Sequence, residues 1–155
     1  MAYIHQIAKH FRDVYFGGNW TSVNLKDTLT DVHWETATTK VHNLNTIATL
    51  VFHIHYYVLP VMKVLQGEPL VASDKFSFDH PPIQSEDDWR TFVAKVLAEG
   101  EMFATQIEQL DDAILLDVFS DPKYGNYYRN LHGIIEHTHY HLGQIAVLKK
   151  IIKTT

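Results

Sequence analysis

The chain contains no cysteine in its 155 residues. That absence excludes disulfides, thiolate metal sites and cysteine nucleophiles together, and leaves the redox compartment open. A surplus of positive charge is also missing. With 13 basic and 18 acidic residues the net charge is −5, so the overall electrostatics favour neither nucleic acid nor an anionic membrane as partner. No stretch has the run of about 18 apolar residues that spans a bilayer, and the opening Met-Ala-Tyr-Ile-His-Gln-Ile-Ala-Lys-His lacks the apolar core of a signal peptide. A cytoplasmic protein without a membrane partner is therefore expected.

What the chain does have is histidine, eleven in all, with His132, His137, His139 and His141 falling within ten residues. The rest of the composition, 46% hydrophobic and 20% charged, is that of an ordinary globular protein. Its length suits one domain, residues 1–155, able to bury roughly two-thirds of the unfolded surface.

Apolar residues recur at spacings of three and four over residues 3–16 (Ile4, Ile7, Ala8, Phe11, Val14, Tyr15), which predicts a first helix stopped by Gly17-Gly18. A polar, threonine-rich connection follows to Asn43, with local helical turns expected around Asn24 to Leu29. A second long helix is predicted from about Asn45 to Gln66, capped by Asn43 or Asn45. Pro60 should bend it by freeing the carbonyl of Tyr56, just after the pair His53 and His55. Residues 67–84, with Pro69, Pro81 and Pro82, make a connection long enough to serve as the lid or wall of a site. Ser85 and Asp88 resemble a capping box that opens a third helix, running to about Leu110 with Trp89, Phe92, Val96, Phe103 and Ile107 inward. In the connection from Asp111 to Gly125, the residues Leu115, Leu116, Val118 and Phe119 are expected to tuck against the core. The last helix should run from about Asn126 to Lys153, its lysines 149, 150 and 153 suiting the negative C-terminal end. Four long helices joined by long connections predict an all-α four-helix bundle.

On the last helix His137 and His141 are four residues apart, so their side chains sit one above the other on one face. Two imidazole nitrogens can then converge on one ion at the Zn–N distance of about 2.0–2.1 Å. The pair falls on an inward seam with Ile134, Thr138, Ile145 and Leu148, where an unsatisfied polar group costs roughly 1–3 kcal/mol. A metal would satisfy both rings. A pair of buried histidines bonded to carboxylates or carbonyls would do so too, because the HxxxH spacing is a weak pattern. His139 points away from the pair and His132 lies off the seam. A third histidine on a neighbouring helix would favour the metal, and the second helix offers His53 and His55, between which periodicity does not decide, since that helix is apolar almost all round.

The segments Asn45-Thr-Ile-Ala-Thr-Leu-Val-Phe-His53-Ile and His137-Thr-His-Tyr-His141-Leu-Gly-Gln144-Ile145 resemble the DinB-like (DinB/YfiT) superfamily of metal-binding helical proteins. In that family a histidine near the middle of the second helix joins an HxxxH pair on the last, often followed by x-Gly-Gln. The likeness covers the chain in helix order, although Asn45 stands where the family often has tryptophan. It implies His53, His137 and His141 as ligands of a divalent metal, zinc or nickel first, with His55 an extra histidine. Three neutral imidazoles leave an open coordination position, as in catalytic sites, where the bound water becomes the reactive group. Tyr57, four residues after His53, is a candidate hydrogen-bond donor to the site, Gln144 a candidate support for a ligand, and Glu136 faces elsewhere.

Family members with known activities are thiol-dependent S-transferases and a thiol-dependent maleylpyruvate isomerase. The resemblance therefore implies a metal-dependent transferase, hydrolase or isomerase acting on a small molecule, a low-molecular-weight thiol first. The competing expectations are a non-catalytic metal-binding bundle and a helical interaction module such as a homodimer, with Trp34, Tyr127 or Tyr128 at its interface.

Overall fold

The structure, a computed structural model, describes residues 2–154. It is all-α, and no strand occurs among the described residues. Helix α1 spans Tyr3–Phe16, α2 Leu25–Thr30, α3 Trp34–Thr38, α4 Ile47–Tyr56, α5 Val58–Leu65, α6 Glu86–Glu108 and α7 Tyr127–Thr154. Short 3-10 turns occupy Asp74–Phe76, Asp112–Leu116 and Pro122–Tyr124. The core lies where α1, α4, α6 and α7 face one another.

The six apolar positions expected inward on α1 are all buried. Gly17 ends that helix with φ +117°, a conformation costly for any residue with a β-carbon. The N-terminus of α1 borrows its cap from far along the chain: the Asp112 carboxylate accepts from the amides of Tyr3 (2.9 Å) and Ile4 (2.8 Å). Arg12 then ties α1 to α6 through Glu101 at 2.8 Å and through Glu108. Between them Gly100 lets the Tyr15 ring lie against the α6 backbone.

The second long helix is broken into α4 and α5 at Tyr57, as Pro60 requires, and the remaining Val61 amide to Tyr57 carbonyl bond is stretched to 3.4 Å. Its cap is neither Asn43 nor Asn45. Thr46 fills that role, its hydroxyl accepting from the Thr49 amide at 3.1 Å. The expectation that no run is apolar enough for a bilayer needs correction too. Residues 47–65 reach a mean hydropathy of 1.4 over a span of 19 residues, but 61% of that stretch is buried within the fold. It serves as a core helix.

The connection before it holds one more helix than expected, α3, docked by the Trp34 amide donating to Glu86 (2.9 Å) at the start of α6. Ser85 caps α6 by accepting from the Asp88 amide at 3.1 Å, while Asp88 accepts from Gln84 at 3.0 Å, a capping box shifted by one residue. In the connection before α7, Leu115 and Phe119 are buried as expected, but Leu116 is 81% and Val118 55% exposed. A 3-10 turn has three residues per turn, so with Leu115 turned inward its neighbour is carried roughly 120° round, towards solvent. Lys149 and Lys153 pin the end of α7 to Asp31, both at 2.6 Å.

Candidate metal centre

The break at Tyr57 positions the site. Its two neighbouring tyrosines hold the 67–84 connection over α4: the Tyr56 hydroxyl donates to the Ser73 carbonyl (2.8 Å), and the Tyr57 hydroxyl donates to Asp74 Oδ1 (2.8 Å). The connection thus passes across the face of α4 that carries His53. The Ser77 carbonyl accepts from His53 Nδ1 at 3.1 Å, and the Phe78 ring stacks on the imidazole with centroids 4.0 Å apart and planes inclined by 7°.

From α7, His137 and His141 reach the same point. Ring centroids are 4.8 Å apart for His53 and His137, 4.6 Å for His53 and His141, and 4.5 Å for His137 and His141. One ring nitrogen of each lies within 4.8 Å of the others, so these three histidines, close together, can hold a metal ion. His53 Nε2 and His137 Nε2 are 3.1 Å apart. Two nitrogens bound tetrahedrally at about 2.05 Å would be separated by about 3.3 Å, so this edge of the site needs little adjustment.

Tautomers agree with the geometry. His53 Nδ1 carries a proton towards Ser77, and His141 Nδ1 carries one towards Gln144 Oε1 at 2.7 Å, which leaves the Nε2 lone pairs of both free to bind an ion. His137 Nδ1 is buried without a hydrogen-bond partner among the described residues. Without an ion, His137 Nε2–H can donate to His53. With one, the proton must move to Nδ1, so His137 is the ligand with the weakest outer support.

Burial is the main reason His137 and His53 resist protonation. Burial, followed by the proximity of His141 and His53, pushes His137 down to about 4. His53 is also lowered, by burial, against the raising influence of the Ser77 carbonyl. Neutral imidazole is the form that binds metal, so the surroundings favour the competent state at neutral pH.

The structure separates His53 from His55, which sequence periodicity leaves open. His53 joins the α7 pair; His55 points to the other side of α4, 5% exposed, with Nε2–H donating to Glu99 on α6 at 2.5 Å. Burial outweighs Glu99 and lowers the His55 pKa, so the contact is a hydrogen bond from a neutral ring. His139 approaches His10 on α1 (6.4 Å between centroids), and His132 packs on Tyr128 at 4.3 Å.

The Tyr57 ring packs edge-on against His53 (5.4 Å) and His137 (5.1 Å), but its hydroxyl is given to Asp74. Asp74 is the residue sequence reasoning missed. It lines a cavity of about 520 Å³ with Tyr57, His137 and Glu136, the last of which was expected to face elsewhere, and only Asp74's place in a long proline-flanked connection hinted at a role. Of the aromatics considered for an interface, Trp34 and Tyr127 are half-buried against the core, and Tyr128 is exposed.

No family model matches this chain, and neither a curated protein nor a solved structure matches it.

Proposed function

We propose that this chain is a metal-dependent enzyme of the DinB-like kind, a four-helix bundle in which His53, His137 and His141 hold a divalent transition metal, zinc or nickel. Its substrate on this reading is a small molecule, a low-molecular-weight thiol first, and its reaction a transfer, hydrolysis or isomerisation. The observation that carries the proposal is the convergence of three imidazoles from α4 and α7, one of which also lines a cavity large enough for a small molecule.

When bound, the metal supplies Lewis acidity and, with three protein donors, a coordination position for the reacting group. Around it the chain orients and selects. The Ser77 carbonyl and Gln144 fix two of the rings in the ligating tautomer. Phe78 covers one face of His53 and keeps water from it. On this reading Asp74, which accepts from the Tyr57 hydroxyl and borders the same cavity as His137, takes the proton from the incoming thiol.

The test has two stages. Untagged protein purified without chelator should carry close to one equivalent of transition metal by elemental analysis. The loaded protein should then consume a thiol in the presence of an electrophilic reporter, with Asp74→Asn slowing turnover about tenfold or more while metal content is unchanged. Less than about a tenth of an equivalent of metal would refute the centre. Full metal with no turnover for any thiol and electrophile would refute the enzyme and leave a metal-stabilised binding bundle.

A further inference from the structure

The cavity beside His137 has a charged end that the metal reading does not use. The chain has three arginines. Arg12 is engaged by Glu101 and Glu108, and Arg90 by Glu86 at 2.6 Å. Arg129 lines the cavity and pairs with no carboxylate among the described residues. Its Nη1 donates to the Tyr124 carbonyl at 2.9 Å, and its stem passes close over Gly125, where a β-carbon would lie 3.1 Å from its Cδ. With Nη1 so anchored, Nε and Nη2 remain as the side-on pair of donors that suits a carboxylate.

Charge is distributed unevenly along this cavity. Asp74 and Glu136 belong to the end at His137, since Asp74 is bonded to the Tyr57 hydroxyl and Glu136 precedes His137 in the chain. Arg129 lies eight residues before His137 on α7, about 12 Å away along the helix axis. Pro60, Val61, Leu70, Phe119 and Ile134 make much of the remaining wall apolar. In the metal-free protein, Asp74 and Glu136 disfavour a carboxylate at the His137 end, and Arg129 favours one at its own.

We infer that the cavity takes an elongated small molecule bearing a carboxylate, held at Arg129, with an apolar middle and its reacting group directed at His137. The reacting end rests on the metal-centre reading; the carboxylate end rests on Arg129 alone. Arg129 is a binding residue here and acts on affinity.

Two comparisons test it, one without metal. Calorimetric titration of the metal-free protein with 3-phenylpropanoate and with its neutral amide should show the acid binding about fivefold or more tighter. That preference should vanish in Arg129→Gln and survive in part in Arg129→Lys. In cobalt-loaded protein, the thiolate-to-metal charge-transfer band should saturate at lower concentration with 6-mercaptohexanoate than with 6-mercaptohexanol, again only while Arg129 is present. Equal affinity for acid and amide, no saturable binding of the acid, or a preference that persists in Arg129→Gln overturns the inference. Failure of cobalt to bind would sink the metal centre while the metal-free comparison still decides the carboxylate site.

Discussion

Replacing His53 and His55 in turn by alanine separates the roles of two α4 histidines that stand two residues apart. His53 is 7% and His55 5% exposed, so burial alone makes the two substitutions look alike. Their partners differ. His53 faces His137 Nε2 at 3.1 Å, whereas His55 faces Glu99. Structural zinc sites with four ligands bind with about 10–16 kcal/mol, so one imidazole of three should carry on the order of 3–4 kcal/mol, or about a 10²–10³-fold loss in affinity for His53→Ala. His55→Ala should leave metal affinity within about threefold. It should instead lower folding stability by about 2–3 kcal/mol, because it deletes a packed ring and strips Glu99, whose side chain is 23% exposed, of its donor. Competition with a chromophoric chelator reads the first quantity, and urea unfolding of the metal-free proteins reads the second. If His55→Ala lost metal as severely as His53→Ala, the assignment of ligands would be wrong.

Three further outcomes follow from the same contacts. The metal-free protein should lose stability as pH falls from about 6.5 to about 4, since the unfolded chain takes up a proton on His137 there while the folded one, with that ring at about 4, does not. The full shift corresponds to about 3 kcal/mol, reduced to about 2 by the solvent that reaches this half-buried ring, and chemical denaturation of His137→Gln should show a correspondingly flatter pH profile. Gln144→Ala should weaken metal binding about 10–100-fold in the same chelator competition by freeing His141 Nδ1, with little change in helicity by circular dichroism. Gly100→Ala would set a β-carbon 2.6 Å from Cδ1 and Cε1 of the fully buried Tyr15, and thermal unfolding should show a net destabilisation of about 1–3 kcal/mol despite the better helix propensity of alanine.

Much of the helical layout is local information, and the chain displays it openly. The spacing of Ile4, Ile7, Ala8, Phe11, Val14 and Tyr15 requires a helix with one wet face, and Gly17 can end it where other residues would be strained. Ser85 can cap α6 because the amide it serves is three residues away. The same periodicity puts His137 and His141 on one inward face of α7, so two of the three candidate ligands were legible before any fold was known. Thr46 in place of Asn43 or Asn45 as a cap, and the outward turn of Leu116, show the limit of such reasoning: several neighbours could each do the task, and packing chose among them.

The chain by itself determined where helices run and that two imidazoles share a face, because these depend on residues a turn or less apart. Only the tertiary structure decided that His53 meets that pair while His55 meets Glu99, that Asp74 takes the Tyr57 hydroxyl, and that Arg129 borders the same cavity. Helix α4 is buried on nearly every side, so no hydrophobic stripe tells its faces apart. What distinguishes them is which element lies opposite, α7 and the 67–84 connection on one side and α6 on the other, and those neighbours come from distant parts of the chain.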